Sequence, residues 1–163
     1  MKAASVAQLR KELKYRSSEE LESLCLRLAR FKKENKELLT YLLFESENEV
    51  HYVAQVKEDM DAKFDEINKS SIYYIKKSVR RILRETKKYI RYSNVKETEV
   101  ELLLYFCERF ISFKPSLKKN LSMRNLLQRQ IQLIHTKIAG LHDDLQYDYT
   151  IELNSLKDKL RKH

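Results

Sequence analysis

The chain has 163 residues, with 33 Lys and Arg against 24 Asp and Glu for a net charge of +9, and it contains one Gly and one Pro. Ordinary proteins carry about 12 % of those two residues together, and strand-rich folds place them, with Asn and Asp, at their turns. Strand-based architectures are therefore excluded. With 42 % apolar and 35 % charged residues a disordered chain is excluded as well, and the length is enough to bury a core without disulfides or metal.

In chain order, a first helix is predicted over residues 4–15, with Val6, Leu9 and Leu13 on one face. Arg16 and Ser17 interrupt it. Ser17-Ser18-Glu19-Glu20 then spell a capping box, in which the Ser17 hydroxyl accepts from the Glu20 amide and the Glu20 carboxylate reaches back. The second helix carries Leu21, Leu24, Cys25, Leu28 and Phe31 at three- and four-residue steps. A polar turn is expected over 31–35, then a third helix with Leu38, Leu39, Leu42 and Leu43. The segment LRKELKYRSSEELESLCLRLARFKKENKELLTYLLFES (9–46) resembles the opening of small, all-helical, uncharacterised bacterial proteins. Ser-Glu-Glu-Leu at 18–21 and KENKELLTYLLFE at 33–45 carry the resemblance. It implies a helical domain and brings no activity with it.

The fourth helix is predicted over 48–68, on a stripe of Val50, Val53, Val56, Met60, Phe64 and Ile67. A break follows at 68–71, where Ser70 or Ser71 can cap the next helix. The fifth helix reads IYYIKKSVRRILRETKKYIRYS (72–93). Ser93 or Asn94 ends it and can cap a sixth helix over 95–113, the most hydrophobic element. A helix apolar around most of its circumference is surrounded by others, so the sixth is expected at the centre. Pro115 and Ser116 punctuate. The last stripe, Leu127, Ile131, Ile134, Ile138, Leu141 and Leu145, runs on through Tyr149, Leu153, Leu156 and Leu160. One helix over 116–162 would be about 70 Å long, so a break near Gly140 is favoured over a single rod. The expected fold is a single all-α domain of about seven or eight antiparallel helices. It is an irregular or solenoid-like bundle with a long C-terminal helix or helical hairpin, and with a sub-boundary near 113–116.

The fifth helix is the one candidate surface. At 100° per residue, Ile72, Ile75, Val79, Ile82, Leu83, Tyr89 and Ile90 fall within about 120°. Lys76, Lys77, Arg80, Arg81, Arg84, Lys87, Lys88 and Arg91 fall within roughly the next 140°. Eight bases less Glu85 give +7, beside +9 for the whole chain. Such a row suits acidic groups or phosphates, and Tyr73, Tyr74, Tyr89 and Tyr92 could stack on bases. No helix-turn-helix, zinc-finger or RNA-recognition signature accompanies it. Residues 45–66 hold eight acids and two lysines, so a neighbouring acidic helix could partly neutralise the basic one. A solvated outer face is the plain alternative.

Other chemistries find little. No Glu stands three residues before His51, His135, His142 or His163, so the di-iron bundle signature is absent, and no Cys/His cluster occurs. Neither a Gly-rich phosphate loop nor a Gly-x-Ser-x-Gly turn is present. No catalytic residue, metal or cofactor is assigned. Cys25 and Cys107 sit in apolar stripes and read as buried free thiols of a reducing cytosol. No signal-peptide core is seen at the N-terminus, and the longest apolar run, LLLYFC, is far short of the roughly 20 residues that span a bilayer. A cytoplasmic protein is expected. The leading functional expectation is a non-catalytic interaction or scaffold module offering its basic helix to an acidic protein. The alternative is a nucleic-acid-binding accessory protein, and a helical-bundle metalloenzyme comes last. Self-association through the C-terminal helix is a further expectation.

Overall fold

The computed structural model describes residues 1–161, and among them the chain is all α, with eight α-helices and no strand. His163 and the end of the predicted C-terminal arm lie outside the described residues. The chain separates into two compact units, residues 1–44 and 45–163. The Pro115 segment lies within the second.

The first unit is built from local signals. Ser5, extended at φ −70° and ψ 157°, caps α1 (Val6–Leu13) in a second capping box with Gln8, so the helix starts after Ser5 instead of at residue 4. Ser17 and Glu20 open α2 (Ser18–Phe31) as their spacing predicts. The turn expected over 31–35 contracts to Lys32 alone (φ −141°, ψ 143°), and α3 (Lys33–Thr40) begins at once. Asn35 Nδ2 donates to the Leu28 carbonyl at 2.8 Å and fastens α3 back to α2. A π-helical turn follows at Tyr41–Glu45. Of residues 1–44 only Tyr41 is buried. Cys25 is therefore exposed, correcting the expectation of a buried thiol. Its stripe neighbours Leu24 and Leu28 are 41 % and 60 % exposed, because three short helices do not close over one another.

The second unit holds α4 (Glu49–Asp65), α5 (Ile72–Ser93), α6 (Lys96–Ser112), α7 (Leu121–Ile138) and α8 (Asp143–Arg161). The buried arc of α4 turns toward Tyr52, whose hydroxyl donates to the Tyr89 carbonyl at 3.0 Å. Val50, expected in the stripe, is left exposed. The bounds of α5 match the sequence reading. Ser71 caps its start, and Asn94 ends it in the left-handed region (φ 57°, ψ 18°), which Asn tolerates better than most residues. Asn94 is thus the end of α5 and not the cap of α6, whose N-cap position is Val95 and has no side-chain cap. The C-terminal stripe breaks at Gly140, separating α7 from α8.

Helix α6 is central. It packs against α4, α5, α7 and α8, and Val100, Leu102, Leu103, Phe106 and Cys107 are fully buried. The contacts also fix direction. Lys57 meets Glu101, Asp61 meets Tyr105, and Asp65 meets Arg109. Both helices advance by four residues together, so α4 runs parallel to α6. Lys137 to Glu99 and Lys96 to the Gly140 carbonyl show α7 antiparallel to it. The helices alternate up and down, with α4 and α5 as one pair and α7 and α8 as the other. The two pairs clasp α6 and leave two grooves, one between α5 and α7 and one between α4 and α8.

Candidate anion-binding site

The base row of α5 reaches the surface as its periodicity predicts. Lys77, Arg80, Arg81, Arg84 and Arg91 are exposed, and Lys76, Lys87 and Lys88 are half-buried. The apolar arc beneath is buried at Ile75, Val79, Ile82, Leu83 and Ile90. Ile72, in the first turn, is exposed instead. Of the eight bases, seven (all but Lys88) make no ion pair with a carboxylate among the described residues.

Asp59, Asp61 and Asp65 of α4 pair with Lys63 and Arg109, outside the base row of α5. Lys57 Nζ lies 2.6 Å from Glu101. Arg109 binds Asp61 and Asp65, each at 2.8 Å. Lys63 bridges Asp59 and, at 2.7 Å, Glu85 of α5. This ion pair between α4 and α5 thus uses the one acid of α5.

The tyrosines divide into two pairs. Tyr73 and Tyr74 are exposed and meet edge to face at 5.5 Å. With Lys77, Arg80, Arg81 and Arg84, Tyr73 lines a shallow concavity of about 350 Å³. Tyr89 and Tyr92 are half-buried beneath the Lys88 ammonium, at 4.9 and 5.8 Å from their ring centres. Their faces are partly taken by this cation–π contact.

The groove between α5 and α7 is larger, about 630 Å³. From α5 it receives Arg80 and Lys87, and from α7 Ser122, Asn125, Arg129 and Gln130. Arg80 Nη2 donates to Ser122 Oγ at 2.7 Å across one end. Burial lowers the Lys87 pKa, and Glu99 on α6 offsets this only partly; Glu99 is itself held by Lys137 at 2.9 Å. Gln130 is 5 % exposed and donates through Nε2 to the Leu126 carbonyl at 3.1 Å. Its Oε1 is buried without a hydrogen-bond partner. Asp61 Oδ1, Glu85 Oε2 and Arg109 Nε also lack well-formed hydrogen bonds, but each meets an opposite charge within 2.8 Å. Gln130 Oε1 has neither, and an unsatisfied buried acceptor costs on the order of 1–3 kcal/mol.

The second groove has the opposite sign. Glu101, Glu108, Asp148 and Glu152 line it together with Tyr105, Tyr149 and Lys57. Burial, then Glu108 and Glu101, raise the Glu152 pKa. Burial, then the neighbouring carboxylates, push the Tyr149 hydroxyl up to about 12.

The α7 half of the basic groove was not singled out from the sequence. One signal for it exists. Met123, Leu127, Ile134 and Ile138 are buried at helical spacing, and Gln130 occupies the same stripe. A polar residue in an apolar stripe marks a place where packing alone does not explain the residue.

No group of three or more His, Cys, Asp or Glu side chains that could hold a metal ion occurs among the described residues. His135 lies on α7, and His142, in the turn before α8, faces Asp144 at 3.7 Å. No described helix is long and apolar enough to cross a membrane. No family model, curated protein or solved structure matches the chain.

Proposed function

We propose that the chain is a non-catalytic interaction module in which the outer face of α5 docks an acidic protein partner. One observation carries the reading. Seven of the eight bases have no internal carboxylate partner among the described residues, although an acidic helix lies directly beside them. Unpaired rim charges act chiefly on association rate and partner choice. Lys77, Arg81 and Arg84 are the residues best placed to meet the partner, with Lys76, Arg80 and Arg91 extending the row along the same helix. The protein would act in the cytoplasm and need no cofactor.

The test is affinity capture from the native host, with nuclease added, using wild-type protein and the triple variant Lys77→Glu, Arg81→Glu, Arg84→Glu. All three positions are exposed, so helicity and melting temperature should stay near wild type. The variant should lose acidic partners that the wild type retains in a salt-sensitive manner. Recovery of the same set by both proteins would overturn the proposal.

Nucleic acid is the second reading, favoured by the exposed pair Tyr73 and Tyr74 beside Lys77 and Arg81. Aromatic faces next to a basic row suit single strands. Mixed-sequence oligonucleotides should then bind at about 50 mM salt, with affinity falling steeply as salt rises. Absence of binding there removes this reading and leaves the first intact.

A further inference from the structure

We propose that the groove between α5 and α7 binds a phosphate monoester bearing a nearby hydroxyl or N–H donor. This site shares Arg80 with the outer row of α5 but is built with α7, and it does not require a protein partner on the outer face.

Three features of the groove select this chemistry. First, its cations converge from two helices. Arg80 and Lys87 enter from α5 and Arg129 from α7. Neither helix supplies the set alone, and none of the three is paired with a carboxylate among the described residues. A phosphate monoester brings close to two negative charges and three terminal oxygens, whereas a carboxylate brings one charge and two oxygens. Guanidinium forks match phosphate oxygens in pairs. Second, Ser122 and Asn125 add neutral polar groups to the same wall. Third, Gln130 lines the groove and carries one buried acceptor without a hydrogen-bond partner. Its Nε2 is held by the Leu126 carbonyl, so Oε1 is the end left open. An anion alone cannot satisfy an acceptor. A ligand that carries both a phosphate and a donor answers the cations and Gln130 together.

The size is suited to a small ligand. About 630 Å³ falls within the ~300–1,000 Å³ range of small-molecule sites. The half-buried Lys87 strengthens the case, because a desolvated ammonium with no carboxylate of its own gains most from an incoming dianion.

Isothermal titration of the full chain at about 50 mM salt tests the site, with ribose 5-phosphate, inorganic phosphate and ribose as probes. Ribose 5-phosphate should bind saturably at one site, roughly tenfold or more tightly than inorganic phosphate. Ribose should not bind. Arg129→Gln, on the exposed side of α7, should weaken the ester at least about tenfold with unchanged helicity. Gln130→Met keeps the volume and removes the acceptor. It should erase the advantage of the ester over inorganic phosphate while phosphate itself still binds. Should Gln130→Met fail to fold, Arg129→Gln still decides the matter. A short phosphoserine peptide separates the sources: tighter binding than ribose 5-phosphate assigns the phosphate to a modified protein side chain, weaker binding to a free metabolite. Two results would overturn the site. One is no saturable binding of either ester below about 5 mM, the affinity of a very weak complex. The other is equal loss of binding in Arg129→Gln and in the outer-face variant Arg81→Glu, Arg84→Glu, which would mean a diffuse positive field.

Discussion

The two units are built from the same helical vocabulary and differ in what they do with it. Residues 1–44 contain two complete capping boxes, at Ser5 and Ser17. Among the described residues of the second unit, none of α4 to α7 has one, and α6, the helix that organises the unit, starts without any side-chain cap. Yet the well-capped unit buries one residue, and the other encloses Phe64, Phe106, Phe110, Met60 and a shell of aliphatic side chains. Capping decides where a helix begins. Whether helices become a core depends on wrapping apolar surface on several sides, which only α6 achieves. Helix definition and stability therefore have separate origins in this chain.

The largest expected effect tests that separation directly. Phe106→Ala should destabilise the 45–163 unit by about 3–5 kcal/mol, because Phe106 is fully buried and its ring sits 5.8 Å from Phe64 and 6.3 Å from Phe110. Leu28→Ala, at an exposed position of α2, should change stability by no more than about 0.5 kcal/mol. Urea melts followed by circular dichroism compare the two. A Leu28 effect as large as that of Phe106 would mean that the first unit is covered in solution.

The thiols sharpen the same contrast. Cys25 is exposed, whereas Cys107 is fully buried and burial pushes its thiol up to about 12. Ellman's reagent at pH 8 should titrate one thiol in the native protein and two in strong denaturant. Cys25 should react at least ~100-fold faster, since the thiolate is the nucleophile and Cys107 must wait for opening. Rapid modification of both in buffer would show that the core opens readily.

The smallest effect is local. Ser17→Ala should remove about 1 kcal/mol from α2 and shorten hydrogen-exchange protection over residues 18–21. The protection of α6 should not move. A matching loss in α6 would mean that the two units fold as one.

Much of this was legible in the sequence. The bounds of α5, the central place of α6 and the break at Gly140 follow from residues 71, 94 and 140 and from the apolar width of 95–113. These are properties of single helices. The misses belong to relations between helices. Cys25 and Val50 occupy proper stripe positions, and periodicity cannot say whether anything covers a stripe. The eight bases of α5 were visible, but Arg129 and Gln130 lie some fifty residues further on. They join Arg80 and Lys87 only because α5 and α7 run parallel on one flank of α6. Nor could the sequence tell that Asp59, Asp61 and Asp65 of α4 would be engaged by Lys63 and Arg109 and not by the base row.

Setting a positive groove and a negative groove on either flank of one helix gives the 45–163 unit a transverse electric dipole. An approaching polyanion exerts a torque on it before any contact forms. Within a Debye length of about 8 Å at physiological salt, the domain is turned so that α5 leads and the carboxylates of α8 trail. On the proposed reading, capture of an acidic partner is thus a rotational event as well as a diffusive one, and salt slows it by removing the orientation first.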